Sequence, residues 1–243
     1  MIKSNFSFFI ILLLFIFLVY FRIIKRKTRL NLNPINFETF ETSNNAGFDE
    51  EKIIFTNPFT LKYYPHFLDN NEIDACLNMC DKLFKDSTVT AAKDKNVKDS
   101  SRTSQSCFLP ANQNENPAIM SIKKKVHQLT GFPIENIEGL QVVKYQPGQQ
   151  YKSHYDWFEK GNYDLKQGNR KATFFCYLND DFEGGETFFP KMNFRKKGRK
   201  GSALYWPNMN KTGDVDYNTL HAGLPVNSGT KYGLNIWVRE HKF

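Results

Sequence analysis

The chain of 243 residues has room for one sizeable domain and an appendage. Its net charge of +8 could indicate a nucleic-acid partner, but six Lys or Arg and no acid fall within residues 1–30, which leaves 27 bases against 25 acids in the remainder. A nearly neutral body argues against extensive phosphate contacts, so no nucleic-acid partner is expected.

The chain begins with a long apolar segment. Residues 4–21 carry no charge, and as a helix they would span roughly 27 Å, close to the hydrocarbon thickness of a bilayer. A cleaved signal peptide is the alternative, but the length and the lack of a small-x-small cleavage site favour a retained anchor. We predict a short tail over 1–5, a single transmembrane helix over 6–24 and a polar, Asn-rich linker over 25–53.

Two sequence signals bear on the orientation of this anchor, and they disagree. The bases at 22–29 outnumber those before the apolar run, which by the positive-inside rule places the body of the protein in the cytosol. The sequon Asn210-Lys211-Thr212 would be usable only in the secretory lumen.

Four cysteines leave the redox compartment open. We expect Cys176, in an apolar strand, to be a buried thiol. A disulfide among Cys76, Cys80 and Cys107 is an open alternative, with the first two four residues apart on a predicted helix and the third at the end of a loop.

The domain predicted over 54–243 changes character along its length. Apolar residues at helical spacing predict helices over 71–84, opened by a capping Asn, and over 118–129. Short strand-like segments between turn residues then follow at 140–145, 172–178, 186–189, 202–206 and 232–239. This order predicts an α+β chain with supporting helices first and a jelly-roll or related closed β-structure after them.

Two charged clusters in this domain are predicted to be turns. The basic run at 195–200 lies beside glycines just before a strand, which favours a solvated turn over a recognition patch. Acids around Gly184-Gly185 could mimic a metal site, but such clusters usually form a solvated hairpin turn; they are Asp180, Asp181, Glu183 and Glu186.

Two histidines and one aspartate have a spacing that suits a metal. His154 and Asp156 are two residues apart, so on an extended segment both side chains point to one face while Tyr155 turns away. With His221 they could form the facial triad of non-heme Fe(II) oxygenases, which leaves other coordination positions open. Lys231 is a candidate cation for the far end of a dicarboxylic co-substrate that chelates the iron.

The sequence around these residues resembles the prolyl 4-hydroxylases, which are Fe(II)- and 2-oxoglutarate-dependent dioxygenases. The blocks that carry the resemblance, in order, are NPF at 57–59, RTSQSCFL at 102–109, LQVVKYQPGQQYKSHYDWF at 140–158, GGETFFP at 184–190, HAGLPV at 221–226 and GTK at 229–231. The similarity covers about residue 54 to the end. It implies a double-stranded β-helix fold, in agreement with the strand pattern.

The resemblance also implies roles for particular residues. His154, Asp156 and His221 would hold the iron, and Lys231 would bind the distal carboxylate of 2-oxoglutarate. Tyr145 and Tyr177 would contact the co-substrate. Arg102 and Ser104 would contact the peptide substrate. Both tyrosines could instead be core aromatics with a satisfied hydroxyl. Gln105 stands where the family usually has Gly, which makes the substrate preference of this chain a separate question.

The implied activity is hydroxylation of peptidyl proline at carbon 4 with O2 and 2-oxoglutarate, releasing succinate and CO2, with L-ascorbate rescuing oxidised enzyme. A proline-rich or collagen-like peptide would be the substrate, since such chains are pre-extended. The resemblance favours the endoplasmic reticulum or secretory pathway, with a lumenal catalytic domain. The alternatives are a dioxygenase with a non-proline substrate and a silent, membrane-tethered peptide-binding module. Nothing in the sequence indicates an oligomeric state.

Other histidines and the tryptophans are expected to be structural. His66, His127 and His241 have no partner at ligand spacing. The three tryptophans are predicted to lie in the core or in a pocket wall; they are Trp157, Trp206 and Trp237.

Overall fold

The computed structural model describes residues 51–89, 97–109, 116–159 and 166–243. The predicted tail, the predicted anchor over 6–24 and nearly all of the predicted linker lie outside these residues. Among the described residues no helix has the length and apolar character needed to cross a bilayer. The first strand begins at Lys52, just inside the predicted end of the linker.

Two α-helices come before most of the strands, as the apolar spacing predicted. Helix α1 spans Asn70–Cys80 and helix α2 spans Pro117–Thr130. The cap of α1 is Asp69, whose carboxylate accepts a hydrogen bond from the Glu72 backbone while the Glu72 side chain accepts one from the Asp69 backbone. The helix ends before the predicted residue 84, because Asp81 leaves helical geometry and Lys82 has a φ of 62°.

Fourteen strands are seen in the described part of the chain, and most belong to two sheets. The major sheet has the order β1-β2-β11-β7-β14-β5-β4-β3 and the minor sheet the order β10-β9-β12-β6, while β13 pairs with β8. The bounds in chain order are Lys52–Phe55, Leu61–Tyr64, Lys85–Asp86, Gln105–Leu109, Leu140–Tyr145, Tyr151–His154, Arg170–Tyr177, Glu183–Gly184, Thr187–Phe189, Phe194–Lys196, Ala203–Pro207, His221–Gly223, Val226–Ser228 and Lys231–Arg239. The five predicted strands are confirmed to within two residues at each end, and the mostly β fold agrees with the predicted jelly-roll core.

The major sheet divides its side chains between two cores. In β7 the residues Ala172, Phe174 and Cys176 join a cluster with the apolar faces of α1 and α2. The alternate residues Phe175 and Tyr177 join a second cluster that includes residues of the minor sheet. Because successive side chains of a strand point to opposite faces, β7 serves both cores.

A disulfide resolves the open question about the cysteines. Cys80 at the end of α1 is bonded to Cys107, which lies inside β4 and not at the end of a loop as predicted. Cys76 and Cys176 are free and buried, so the predicted state of Cys176 is confirmed. The bond links α1 covalently to the major sheet.

The two charged clusters that were predicted to be turns lie partly in strands. Residues 195 and 196 of the basic run lie in β10, so the predicted turn covers only residues 197–200, which connect β10 to β11. The acids Asp180, Asp181 and Glu183 are exposed, as predicted. The predicted hairpin turn at Gly184-Gly185 is wrong, because Gly184 lies in β8, which pairs with the distant strand β13.

Candidate active site

The two histidines face each other across a pair of strands. His154 ends β6 and is paired directly with His221, the first residue of β12. Asp156 lies two residues beyond the end of β6, in a bend, so the convergence does not come from one continuous strand as the sequence suggested. His154 Nε2 lies 3.9 Å from Asp156 Oδ1, and His221 Nε2 lies 3.5 Å from Asp156 Oδ2.

Backbone carbonyls set the orientation of both imidazole rings. His154 Nδ1 is 2.8 Å from the carbonyl oxygen of Lys152, and His221 Nδ1 is 2.9 Å from that of Thr219. A carbonyl oxygen only accepts, so each Nδ1 carries a hydrogen, and in the neutral form of such a ring Nε2 is the nitrogen with the lone pair. Both lone pairs are on the nitrogen nearest Asp156.

The charges of the cluster suit a divalent cation. Burial, together with the neighbouring His221, lowers the pKa of His154 to about 3, so its ring is neutral. Burial by itself would raise the pKa of Asp156, but the adjacent histidines, Arg170 and the Thr173 hydroxyl outweigh it and lower that pKa below its ordinary value. Neutral imidazole and ionised carboxylate are the forms that bind metals.

These three residues form a metal-ligand set. One ligand atom from each of His154, Asp156 and His221 lies within 4.8 Å of the others, and no further His, Cys, Asp or Glu group of this kind occurs among the residues that the structure describes. Two nitrogens and one carboxylate oxygen with positions left open match the donor set of a non-heme Fe(II) site. The residues present therefore fit an iron.

Lys231 is buried on the inner face of the major sheet, which is the face that carries Phe175 and Tyr177. The surroundings of its ammonium group are called the Lys231 pocket below. Its Nζ donates a hydrogen bond of 2.6 Å to the carbonyl oxygen of Gly185 and lies 4.7 Å from the ring centre of Phe175. Gly185 has a φ of +66°, and a Cβ there would lie 3.1 Å from Lys231 Cδ, so glycine leaves the lysine room. An ammonium has three donors, so the pocket can also bind a carboxylate.

Burial lowers the pKa of Lys231 to about 7, against an opposing effect of Glu186. Removing an ammonium from water disfavours its charged form. A bound anion would supply the charge that this buried cation lacks.

Three comparisons with known proteins agree with this geometry. The 2OG-Fe(II) oxygenase superfamily matches residues 140–239. The chain is 34% identical over 201 residues to prolyl 4-hydroxylase 5 of Arabidopsis thaliana, covering 74% of this chain and 68% of the relative. It is 37% identical over 174 residues to a putative prolyl 4-hydroxylase of Acanthamoeba polyphaga mimivirus, covering 67% of this chain and 66% of that protein. The chain belongs to the prolyl 4-hydroxylase family.

A solved structure supports the same assignment. The 2-oxoglutarate complex of the viral collagen prolyl hydroxylase of Paramecium bursaria Chlorella virus-1 superposes with a TM-score of 0.58 and 30% identity, covering 74% of this chain and 95% of that one. The predicted function as a prolyl 4-hydroxylase-like 2-oxoglutarate dioxygenase is thus confirmed. Fe(II), 2-oxoglutarate and ascorbate suit such an enzyme, as predicted.

The two tyrosines with predicted co-substrate roles occupy different settings in this prolyl 4-hydroxylase fold. Tyr145 lies directly opposite Lys231 in the paired strands, with its ring centre 5.4 Å from Lys231 Nζ. The Tyr177 hydroxyl donates to the Lys196 carbonyl at 2.8 Å and lies 2.8 Å from Thr187 Oγ1, so its hydrogen is already used. Tyr177 thus lines the pocket with its ring, and both co-substrate roles stay predictions.

Arg102 and Ser104 also differ from each other. The Arg102 guanidinium lies 4.7 Å above the ring centre of Tyr151, which stacks on His154 at 3.5 Å. Arg102 also donates to the side chain of Gln141 at 2.9 Å. Ser104 is buried with its Oγ 2.8 Å from Ser87 Oγ. Arg102 therefore contacts the ring that stacks on a triad histidine, whereas Ser104 is buried against Ser87. Their predicted substrate roles stay predictions.

Aromatic rings surround the triad. Trp206 packs edge-on against His221 at 4.8 Å, and Trp157 contacts both Tyr155 and the exposed Tyr217 at 4.6 and 5.0 Å between ring centres. All three tryptophans are buried, as expected. The histidines predicted to be structural are exposed and outside the triad; they are His66, His127 and His241.

Two residues that support the triad were missed in the sequence. Tyr151 stacks on His154, and Thr173 donates a hydrogen bond of 2.8 Å to Asp156 Oδ2. Thr173 could have been noticed, because it is a polar residue at a fully buried position in the apolar strand β7. Tyr151 gave no such signal, because side chains three residues apart in a regular strand point to opposite faces, whereas the pairing of β6 with β12 is irregular between Tyr151 and His154.

Proposed function

We propose that this chain hydroxylates peptidyl proline at carbon 4 in proline-rich or collagen-like segments, using O2 and 2-oxoglutarate. The observation that carries the proposal is the convergence of His154, Asp156 and His221 on one point, on a fold whose relatives are prolyl 4-hydroxylases. The relative with the solved 2-oxoglutarate complex is named a collagen prolyl hydroxylase.

The residues of the site have different roles in the proposed reaction. His154, Asp156 and His221 would hold Fe(II), which supplies the oxidative chemistry that couples loss of CO2 from 2-oxoglutarate to insertion of oxygen into a C–H bond. Lys231 binds the distal carboxylate of the co-substrate and so fixes its orientation. The aromatic side chains around the triad exclude water and other reactive groups.

Arg102 and the aromatic rings suit an extended peptide. The guanidinium of Arg102 is held over Tyr151 by its bond to Gln141, which places donors beside the triad. Trp157 follows Asp156 in the chain, Tyr217 lies shortly before His221, and their rings pack edge to face. Proline-rich peptides dock on such aromatic surfaces because they lose little conformational entropy on binding.

The test is coupled turnover by the purified chain with Fe(II), ascorbate and O2. Succinate formation is measured with and without proline-rich peptides, and the peptide is examined by mass spectrometry. We expect peptide-stimulated turnover and a gain of about 16 Da, one oxygen atom, on proline. His154→Ala is the inactive control.

The alternatives predict other outcomes of this experiment. Turnover that peptide does not stimulate and that His154→Ala abolishes would keep the dioxygenase and discard proline as the target. Iron and peptide binding without any succinate would favour a silent binding module.

We propose further that the catalytic domain works in the lumen of the secretory pathway, tethered by residues 6–24 as a membrane anchor. Two features support this placement. The Cys80–Cys107 disulfide suits an oxidising compartment. Asn210 is exposed at a turn, and its side-chain oxygen accepts hydrogen bonds from the backbone and hydroxyl of Thr212, so the sequon is accessible.

Expression of the full chain in a eukaryotic host tests this placement. We expect a glycosidase-sensitive shift in gel mobility that Asn210→Gln removes. Recovery in the soluble fraction after high-salt washing would contradict the anchor, and an unglycosylated chain with reduced Cys80 and Cys107 would contradict the lumenal orientation.

A further inference from the structure

Asp156 needs support that its own strand does not give. Strand β6 ends at His154, and Asp156 lies in the bend that follows it. A carboxylate in a bend can rotate about its side-chain bonds unless a neighbour restrains it. The neighbour is Thr173 of β7, whose hydroxyl lies 2.8 Å from Asp156 Oδ2 with both side chains buried.

The direction of this hydrogen bond is set by a third residue. The side-chain nitrogen of Asn208 donates to Thr173 Oγ1 at 3.0 Å. An amide nitrogen only donates, so Thr173 accepts from Asn208, and its single hydrogen points to the acceptor Asp156. Thr173 and Asn208 are both fully buried, so water does not compete for these bonds.

Asn208 is itself held on both sides by its backbone. Its N–H donates to the carbonyl of Lys171 at 2.8 Å, and its carbonyl accepts from the N–H of Asp216 at 2.9 Å. The Asp216 carbonyl in turn accepts from Thr219 Oγ1 at 2.7 Å, and the Thr219 carbonyl orients the ring of His221. Asn208 thus connects the segment before His221 with the strand that carries Thr173.

We propose that Thr173 and Asn208 are positioning residues for the metal site: the ordered chain Asn208 to Thr173 to Asp156 fixes the rotation of the Asp156 carboxylate and so raises the affinity for the metal. Neither residue is within the metal-ligand set itself. The inference rests on metal binding by the triad, which is part of the proposed function, and is independent of the substrate.

The experiment measures the affinity of the full-length protein for Co(II), a redox-stable stand-in for Fe(II) that prefers similar ligands. Thr173→Val removes the hydroxyl and keeps the shape, Thr173→Ser keeps the hydroxyl, and Asn208→Leu removes the group that orients it. Thr130→Val is the matched control, because its hydroxyl bonds the Val126 carbonyl at the end of α2 and contacts no metal ligand. Thermal unfolding of the metal-free proteins accompanies each titration.

We expect the dissociation constant for Co(II) to rise about 10- to 100-fold in Thr173→Val, the usual effect of losing a group that orients a metal ligand. A smaller rise is expected in Asn208→Leu, and near wild-type affinity in Thr173→Ser and Thr130→Val. With saturating Fe(II), kcat of Thr173→Val should recover towards wild type while KM for peptide stays unchanged. A purely structural role would lower the melting temperature without this selective loss of metal affinity.

Wild-type affinity in folded Thr173→Val overturns the inference. If that variant does not fold, wild-type affinity in Asn208→Leu overturns it instead. Failure of the unmodified protein to bind Co(II) or Fe(II) would contradict the proposed function itself, so the two failures are distinguishable.

Discussion

The two faces of the major sheet use the same strands for different purposes. On the face towards α1 and α2, β7 contributes Ala172, Phe174 and Cys176 to an apolar core. On the inner face the same strand contributes Thr173, which bonds Asp156, and Tyr177, which lines the Lys231 pocket. The face towards the helices carries one apolar core, whereas the inner face combines a second apolar core with the candidate site. Neighbouring residues in the chain supply both faces.

Burial favours the neutral form of titratable groups on both faces, so it raises the pKa of a thiol and lowers the pKa of an ammonium. On the helix side, burial and then Glu72 raise the pKa of the Cys76 thiol to about 12, so this cysteine is neutral and inert. On the inner face, burial lowers the pKa of Lys231 to about 7, which brings its titration into the physiological range. Burying the charged form of Lys231 costs free energy, and an anion bound beside its ammonium would offset that cost.

The largest effect is expected for loss of a metal ligand on the inner face. His221→Ala should reduce 2-oxoglutarate turnover by at least about 10³-fold, because a facial site with two ligands cannot retain the metal in working geometry. Unfolding of the metal-free protein should change little. Succinate assays and Fe(II) titrations check this, with the exposed His127→Ala as control; substantial turnover in His221→Ala would exclude this residue as a ligand.

On the helix face we expect a loss of stability without a loss of chemistry. Replacing both Cys80 and Cys107 by Ala opens a loop with a sequence separation of 27, which by chain entropy costs about 3.5 kcal/mol of unfolding free energy. Urea unfolding under oxidising conditions measures it. Cys76→Ala, which opens no loop, should cost less, and kcat of the folded double variant should stay near wild type.

Replacing the buried cation Lys231 should have the reverse effect, because it weakens co-substrate binding and keeps stability. Lys231→Met should raise KM for 2-oxoglutarate about 10- to 100-fold, since a charged hydrogen bond contributes roughly 1.5–3 kcal/mol. The free energy of unfolding should be maintained or should rise, because Met occupies similar space without a buried charge. An unchanged KM would assign the distal carboxylate to another group.

The smallest effect is a pH dependence of co-substrate binding. Only protonated Lys231 can bind the distal carboxylate as an ion pair, and its pKa in the free enzyme is about 7. KM for 2-oxoglutarate should therefore rise as pH increases above about 7, by at most about tenfold per pH unit. Lys231→Arg, which stays protonated, should flatten this dependence.

The pKa of Lys231 is lower in the folded chain than in the unfolded chain, so this residue also makes the free energy of unfolding depend on pH. Between pH values of about 7 and 10.5 the unfolded chain holds a proton on Lys231 that the folded chain lacks, so this residue makes the free protein more stable as pH rises. Chemical unfolding at several pH values, compared with Lys231→Met, isolates this contribution. A stabilising effect as pH falls would mean that the ammonium already has an anionic partner.

Much of the architecture could be predicted from local patterns. Strand β5 was predicted with its observed bounds, Leu140–Tyr145, and both helices were found within a few residues at their starts, because apolar periodicity and turn residues act over short distances. The triad and Lys231 were also predicted from the sequence, since metal chemistry limits the residue types and the resemblance supplied their order.

Only the tertiary structure decided how these residues are held. The pairing of Cys80 with Cys107, the bond from Thr173 to Asp156 and the stacking of Tyr151 on His154 join segments that are separate in the chain or depend on strand register. A sequence shows which side chains could bind a metal, because that property belongs to each residue. It does not show which neighbours orient them, because hydrogen bonds and ring contacts depend on distances that exist only after the sheets have packed.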